Sequence, residues 1–316
     1  MNLAALAAPM RPLTLWAPIG LEAPQSLIEV SLETQGATRD VTGRQVVLSL
    51  VPLVIGIGTA AGEAPRASAG ATLVFRDRAR AQALGTLRLG AAGRLGSEPA
   101  PLDYCRVEGS DHACLSSPMR AWQRFLQARR GPTQGFSMSA RELQHLLIFY
   151  ICPRPVFLVS VADGAHENLF PMDLVGELGD GLFSLALRTT SPSIDTLRNS
   201  RRAALADVPL RNRALAYSLG KHHKLARIDW SALAVDTVCS ARHGLKVPAD
   251  SPRVRDLDVL DVHAQGSHTV FVCRVTHEER RPQSGPDGPA RLFHTSGIHR
   301  AWRRRQGDLP WREEPA

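Results

Sequence analysis

The sequence predicts an α+β fold built from two β-rich halves. Short apolar or alternating runs recur along the whole chain, helices are scattered among them, and no sustained strand–helix–strand rhythm of a parallel sheet occurs. That combination points to a barrel rather than a doubly wound sheet. The 316 residues allow one large domain or two of about 150 residues. The loop 129–135 (RRGPTQG) is the expected joint, dividing the chain into regions 1–135 and 136–316.

In the first region, residues 26–33 (SLIEVSLE) alternate apolar and polar side chains as a half-buried strand does. Residues 46–57 (VVLSLVPLVIGI) form an apolar run interrupted by Pro52 and read as paired strands. A third strand is expected at 71–75, and the arginine-studded stretch 76–84 reads as helical. Residues 116–129 read as a helix, with Ser116 or Ser117 as N-cap and Pro118 at the first helical position.

The second region opens with Ser139 and Glu142 at capping-box spacing, ahead of the apolar face Leu143, Leu146, Leu147 and Phe149. That helix has to stop near Cys152, because Pro153 and Pro155 cannot continue it. Strands follow at 156–161 and 182–188, with Asp163-Gly164 as turn chemistry between. Residues 193–206 read as a helix with Ser193 as N-cap and Asp195 in its first turn. Later strands at 259–262 and 268–275 flank a Gly266-Ser267 turn, and a helix starting at Ile298 closes the chain. Residues 115–122 (LSSPMRAW) and 295–302 (TSGIHRAW) share Ser, Arg, Ala and Trp at equal offsets. If this echo marks a duplication, the halves are two related barrels packed together, the first degenerate; chance similarity in an arginine- and alanine-rich chain is the alternative.

Composition excludes several classes. No run approaches the ~20 apolar residues that span a bilayer, and no basic residue precedes the short apolar start at 1–10. A cytoplasmic protein without membrane contact is expected. Cys105, Cys114, Cys152, Cys239 and Cys273 are odd in number with no CxxC pair, so all five read as small buried hydrophobes. The net charge is +8, yet 35 of the 38 basic residues are arginines spread over the chain. Only residues 299–311 (HRAWRRRQGDLPW) resemble a nucleic-acid-binding tail, and a solvated helix end explains them equally, so nucleic acid ranks last among partners. Nucleotide-binding glycine motifs, HExxH and GxSxG are absent. The adjacent His222 and His223 diverge on any regular element, and no metal site is expected.

The informative stretch is 153–224. It reads Pro153-Arg154-Pro155-Val156, then Ser160, Asp163-Gly164, Asn168-Leu169-Phe170-Pro171, and, after a strand, Ile194-Asp195-Thr196-Leu197-Arg198-Asn199. In order and spacing this resembles the flavin reductase-like family, over roughly the C-terminal half. The resemblance implies an FMN-binding split β-barrel there, NAD(P)H as electron donor, and transfer onward to flavin, oxygen or a small acceptor. It also implies a homodimer with flavin near the interface, or an intramolecular pair if both halves are barrels. Cofactor contacts are expected from Asn168, Leu169, Pro171, Arg188, Thr189, Thr190, Ser191, Ser193, Thr196 and Arg198. Residues 191–196 place hydroxyls at a helix start, where free N–H groups attract a phosphate, and Arg188 and Arg198 flank them. The same hydroxyls also suit a strand exit and helix cap, Asn168 also suits a loop-shaping role, and either arginine suits a solvated charge.

Two departures stand out: Ile194 replaces the lysine of the family's helix start, and Asp173 replaces a small hydroxyl residue. Residues 220–224 (GKHHK) are either a phosphate or nicotinamide-nucleotide contact or a surface loop. His294 and His299 lie in the closing segment that the resemblance brings toward the flavin, His299 being the possible catalytic group or a helix cap. The competing functions are a flavin-binding or structural module without turnover and a nucleic-acid-associated basic protein.

Overall fold

The computed structural model describes residues 13–58, 70–95, 102–129, 138–282 and 290–313. In chain order the first half holds β1 (Ala17–Leu21), β2 (Ile28–Thr34), β3 (Ala37–Asp40), β4 (Gln45–Leu50), β5 (Leu53–Ile57), β6 (Thr72–Asp77), β7 (Gln82–Leu95) and β8 (Leu102–His112). Helices α1 (Ser117–Ala128) and α2 (Ala140–Phe149) follow. The second half holds β9 (Arg154–Pro155), β10 (Phe157–Ala162), β11 (Glu167–Met172), β12 (Val175–Gly179), β13 (Leu182–Arg188), α3 (Ser193–Ser200), β14 (Arg202–Asp207) and α4 (Arg213–Ser218). It ends with β15 (Thr237–Cys239), β16 (Lys246–Pro248), β17 (Arg253–Gln265), β18 (His268–Arg280), β19 (Arg291–Thr295) and α5 (Gly297–Gln306). The expected joint falls mostly at 130–137, outside the described residues.

Two antiparallel seven-stranded sheets dominate. One runs β3-β2-β6-β7-β8-β5-β4, the other β11-β10-β14-β17-β18-β13-β12. Numbered in chain order within each sheet, both follow 2-1-5-6-7-4-3. The two copies of the LSSPMRAW/TSGIHRAW echo both start helices, α1 and α5. In the second sheet the chain passes from β11 on one edge to β12 on the other through Asp173 and Leu174 alone. At 3.8 Å per Cα step, so short a passage forces the sheet to curl. A smaller sheet, β1-β19-β9, joins the start of the chain to its end.

The halves share apolar cores. Ile28, Ile55, Phe75 and Leu87 of the first sheet pack with Leu146 and Phe149 of α2, and also with Ile298 and Trp302 of α5 from the far end of the chain. Val159, Phe170, Leu205 and Phe271 form the second core with Ile194 and Leu197 of α3. Between the sheets, Val46, Leu48 and Val54 pack on Leu178, Ala186, Val270 and Val272. Each fully buried side chain of this size contributes roughly 1.5–3 kcal/mol, so the halves are bound by a dry core. Glycines permit the approach: a Cβ on Gly176 would meet Val46 Cγ1 at 2.1 Å, and one on Gly58 would meet the Leu178 carbonyl oxygen at 1.9 Å.

Several sequence expectations hold. The 46–57 run is the β4–β5 hairpin, the Ser139/Glu142 capping box forms, and the 182–188 strand is β13. Others need correction. Residues 76–84 are not helical but form the β6–β7 hairpin, with Asp77 opposite Gln82 and Ala81 at φ 52°. Paired edges of a sheet override a weak local helix preference there. The helix expected over 193–206 stops at Ser200, where Arg201 turns left-handed, and Arg202–Asp207 becomes the strand between β10 and β17. Ala203 to Ala206 are fully buried there, so burial on both faces decides for strand. Ser116 caps α1 by position but makes no side-chain cap bond, and Pro192 rather than Ser193 precedes α3. Cys239 is exposed, unlike the other four cysteines.

The basic tail is committed internally. Arg300 and Arg304 bond Glu313, Arg303 bonds the buried Asp77, and Arg305 bonds the Cys114 carbonyl. No helix among the described residues is long and apolar enough to cross a membrane.

Candidate functional site

Three strand ends and one hairpin tip of the other half meet at a single cleft. Pro171 and Met172 end β11, Ala186 to Arg188 end β13, and His268 begins β18. Leu50, at the tip of the β4–β5 hairpin, and Trp16 come from the first half. The enclosed space is about 110 Å³, below the roughly 300–1,000 Å³ typical of small-molecule pockets.

The hairpin tip is tied to the second half by polar contacts. Ser267 Oγ accepts from the Val51 N–H at 3.1 Å, and the Ser267 N–H donates to Ser49 Oγ at 3.1 Å. The neighbouring Gly266 has a positive φ of 54° and abuts Val51 and Pro52 so closely that a Cβ would lie 2.7 Å from the Val51 carbonyl oxygen. On the other side, the Thr189 N–H donates to the Ser267 carbonyl at 3.2 Å. The Gly266-Ser267 turn is thus held between the first half and the turn after β13.

One wall of the cleft is a polar network centred on Asp173. Its Oδ2 accepts from the Tyr150 hydroxyl at 2.9 Å and from His294 Nδ1 at 2.7 Å. His294 Nε2 lies 2.8 Å from the hydroxyl of Tyr217, whose exposed ring stacks on the imidazole at 5.8 Å and 12°. Burial raises the proton affinity of Asp173, but the His294 contact and the Tyr150 hydroxyl outweigh it, and the carboxyl stays below its ordinary value. Burial pushes the Tyr150 hydroxyl far above its ordinary value, and the Asp173 charge adds to this. Tyr217 is raised to about 12 by burial and by the same charge. The ionised Asp173 accepts from Nδ1 of His294, and the Tyr217 hydroxyl lies against Nε2 of the same ring. Hydrogen-bond contacts thus connect the exposed Tyr217 phenol to the Asp173 carboxylate through the His294 ring.

Two imidazoles that line the cleft, His268 and His223, are disfavoured as cations. His268 is pushed down to about 4 by burial and by Arg188. His223, lowered chiefly by burial, has Nε2 2.7 Å from the Pro171 carbonyl. Arg188 is the cation of the cleft, its own proton affinity lowered by burial.

Of the sequence-expected residues, Pro171 and Arg188 line the cleft. Thr189 and Thr190 are exposed on the following turn, whereas Ser191, Ser193 and Thr196 are buried at the start of α3. Leu169 packs in an apolar core under the loop that follows α4. Asn168 is buried, and its Nδ2 donates to the His222 and Leu225 carbonyls at 2.9 and 2.7 Å, besides lying 3.3 Å from Ser193 Oγ. Its amide thereby pins residues 222–225 over β11. Arg198 is exposed beside Asp195 on its own helix, 3.6 Å away. His299 lies apart from the cleft: it is fully buried, bonded to Thr295 and Arg303 and packed between Trp302 and Trp311. The closing-segment histidine that reaches the cleft network is His294.

Of the 220–224 cluster, His222 and His223 fold back on the Leu169 and Pro171 carbonyls, while Lys221 and Lys224 are exposed. Sequence reasoning missed Trp16, Leu50, His268, Tyr150 and Tyr217. None carries a local motif, since each reaches the cleft through packing of distant elements.

A comparison with curated proteins found no match. Among solved structures, the chain is similar to an FMN-binding protein from Thermus thermophilus with bound p-hydroxybenzaldehyde, at 21% identity and a TM-score of 0.40, covering 53% of this chain and 92% of that one. It is also similar to the NADH:FAD oxidoreductase of Streptomyces globisporus C-1027, at 17% identity and a TM-score of 0.43, covering 58% and 99%. A third is a nitrilotriacetate monooxygenase component B from Mycobacterium thermoresistibile, at 18% identity and 0.40, covering 48% and 83%. The family model described as flavin reductase like domain matches residues 149–301. These residues span Tyr150, Asp173, Arg188, Tyr217, His268 and His294, so all the second-half groups of the cleft fall inside the match. Residues 149–301, the body of the C-terminal half, therefore carry a flavin reductase like domain.

Proposed function

We propose that the chain is a flavin-dependent oxidoreductase that binds FMN at the cleft between its halves and takes electrons from NAD(P)H. The carrying observation is that Pro171 and Arg188, both inside the matched region, line one cleft, and the turn after β13 follows directly on Arg188. The residues suit the cofactor. Ser191 Oγ, in a residue only 8% exposed, has no hydrogen-bond partner, and it sits with Arg188 where a phosphate needs donors. Leu50, Leu174 and Trp16 offer the apolar surface an aromatic ring needs. The enclosed volume admits only part of a flavin, so the remainder has to lie at the mouth or displace side chains there.

When bound, a flavin supplies the hydride and electron transfer, and the protein supplies position and electrostatics. Arg188 and the hydroxyls of residues 189–196 would hold the phosphate end. Asp173, oriented by Tyr150 and His294, would present a fixed acceptor to the cleft, and Tyr217 and His294 would hold a proton at its edge. The curled second sheet supports a split barrel, and the shared strand order supports the first half as a degenerate copy of it. The dry core between the halves then favours an intramolecular pair over a homodimer. Region 1–135 serves in this reading as the partner barrel and 136–316 as the cofactor-binding one. Five free cysteines agree with a reducing, cytoplasmic setting.

Ile194 at the place of the family lysine favours a second reading, flavin binding without turnover. Purified protein should retain or take up FMN, identified by its visible spectrum and by release on denaturation, and should oxidise NADH or NADPH above background when FMN is supplied. Flavin uptake without nicotinamide oxidation would select the second reading, and neither signal would defeat both. Replacing Arg188 with alanine should weaken flavin retention about tenfold, the worth of one charge-assisted contact.

A further inference from the structure

The first half contains a second concave region that the flavin reading does not use. It lies between the outer face of β6–β8 and helices α1 and α2, as two hollows of about 460 and 500 Å³ that share Arg88, Arg141 and His145. Both volumes fall within the range of small-molecule sites.

Its construction is specific. Arg88 stands opposite Thr72 on one neighbouring strand and Gly109 on the other. The missing side chain at Gly109 leaves room for the guanidinium, since a Cβ there would lie 2.8 Å from Arg88 Nη2. Arg124 of α1 faces the first hollow, Arg106 of β8 the second, and Arg141 of α2 both. Among the described residues none of these four arginines has a carboxylate within 4 Å, and Arg141 bonds only the Glu108 carbonyl.

Three carboxylates also line the hollows, Asp111 the first and Glu108 and Glu142 the second. Asp111 pairs with Arg120, Glu142 closes the capping box of α2, and Glu108 lays its carboxylate over Gly90. Arg88, Arg106, Arg124 and Arg141 are exposed, whereas in the second half the buried Arg255, with the half-buried Arg253 and Arg291, converges on Asp207. Around each hollow the guanidiniums outnumber the lining carboxylates, three to one in the first and three to two in the second, which leaves a net positive local potential. Their planar forks match phosphate oxygens in pairs.

We infer that this double hollow is a second ligand site, for a small molecule carrying a diphosphate or similarly clustered anion. Arg88 and Arg141 bridge the two charged lobes, and Arg124 and Arg106 close either end. The site is independent of the flavin cleft.

Calorimetric titration of the full-length protein with inorganic pyrophosphate, ADP and adenosine tests this. Pyrophosphate and ADP should bind, adenosine should not, and tighter binding of ADP than of pyrophosphate would assign a nucleoside diphosphate over the bare anion. The double variant Arg88→Gln/Arg141→Gln should lose at least about tenfold in affinity, as should the milder single variant Arg124→Gln to a smaller degree. The control Arg202→Gln/Arg274→Gln, which removes exposed arginines of the second half, should bind as the parent does. No binding of either anion, equal weakening by the control pair, or binding confined to long single-stranded nucleic acid would each overturn the inference.

Discussion

Asp173 shows how one side chain departs from a family pattern and acquires new partners. A half-buried carboxylate flanked by Tyr150 and His294 has its hydrogen-bonding capacity met from inside the protein. Replacing it with asparagine removes the charge that orients His294, at a cost of about 1–3 kcal/mol for the disturbed pairing. In turnover assays, Asp173→Asn and His294→Gln should shift the pH dependence of kcat while Tyr217→Phe reproduces part of the effect. An unchanged profile in all three would remove the network from the chemistry. His299 carries a different prediction. It is pushed down to about 3 by burial and by Arg303, whereas an unfolded imidazole takes its proton near ~6.5. Between those values the unfolded chain binds more protons, so stability rises with pH and levels off above about pH 7. His112, His145 and His268, each lowered to about 4 chiefly by burial, act in the same direction. Thermal melting should therefore be flat above neutrality and fall steadily as pH drops from about 6.5. A His299→Asn variant should melt lower at pH 7.5 but with a shallower acid slope; an unaltered slope would contradict the assignment.

Among elements, the helix starts were most legible in the sequence. The Ser139/Glu142 spacing satisfies two free N–H groups reciprocally and forms as read. Ser139→Ala should lower stability by about 0.5–2 kcal/mol, measurable by denaturant unfolding. Strands were legible where apolar residues alternate or run together, as in β2, β4–β5 and β13. They were illegible where alanine and arginine predominate. Residues 76–84 and 202–207 carry a mild helical preference locally, but sheet neighbours on both sides satisfy their backbone groups and decide against it. Glycine contacts between elements were equally hidden. Gly58→Ala places a methyl group 1.9 Å from the Leu178 carbonyl oxygen, so it should destabilise by roughly 1–3 kcal/mol or more through overpacking. Gly36→Ala, at a turn with open space around it but a φ of 88°, separates backbone strain from crowding in the same measurement.

For the whole molecule, the recurrence of one strand order and the dry core between the sheets make the halves a single cooperative body. The closing helix strengthens this, since Ile298 and Trp302 complete the first core and Arg303 bonds Asp77 of β6. Calorimetry should show one unfolding transition, and removal of residues after Gly297 should collapse both halves together. Two separable transitions would count against the shared core. The intramolecular pair also predicts a monomer in sedimentation that binds one flavin per chain.

What the sequence alone determined is whatever depends on near neighbours: the α+β class, most strand and helix positions, the capping box, and the ordered motif fragments of 153–199. These follow from periodicity, capping and turn chemistry, all acting over a few residues. Tertiary structure decided which of those fragments face a cleft. It sent Asn168 and His299 inward, brought Trp16 and Leu50 from the other half, and assembled Tyr150, Asp173, Tyr217 and His294 into one network. The reason is geometric: a site made where two sheets meet depends on register and packing between residues up to hundreds of positions apart, and no local pattern encodes that distance.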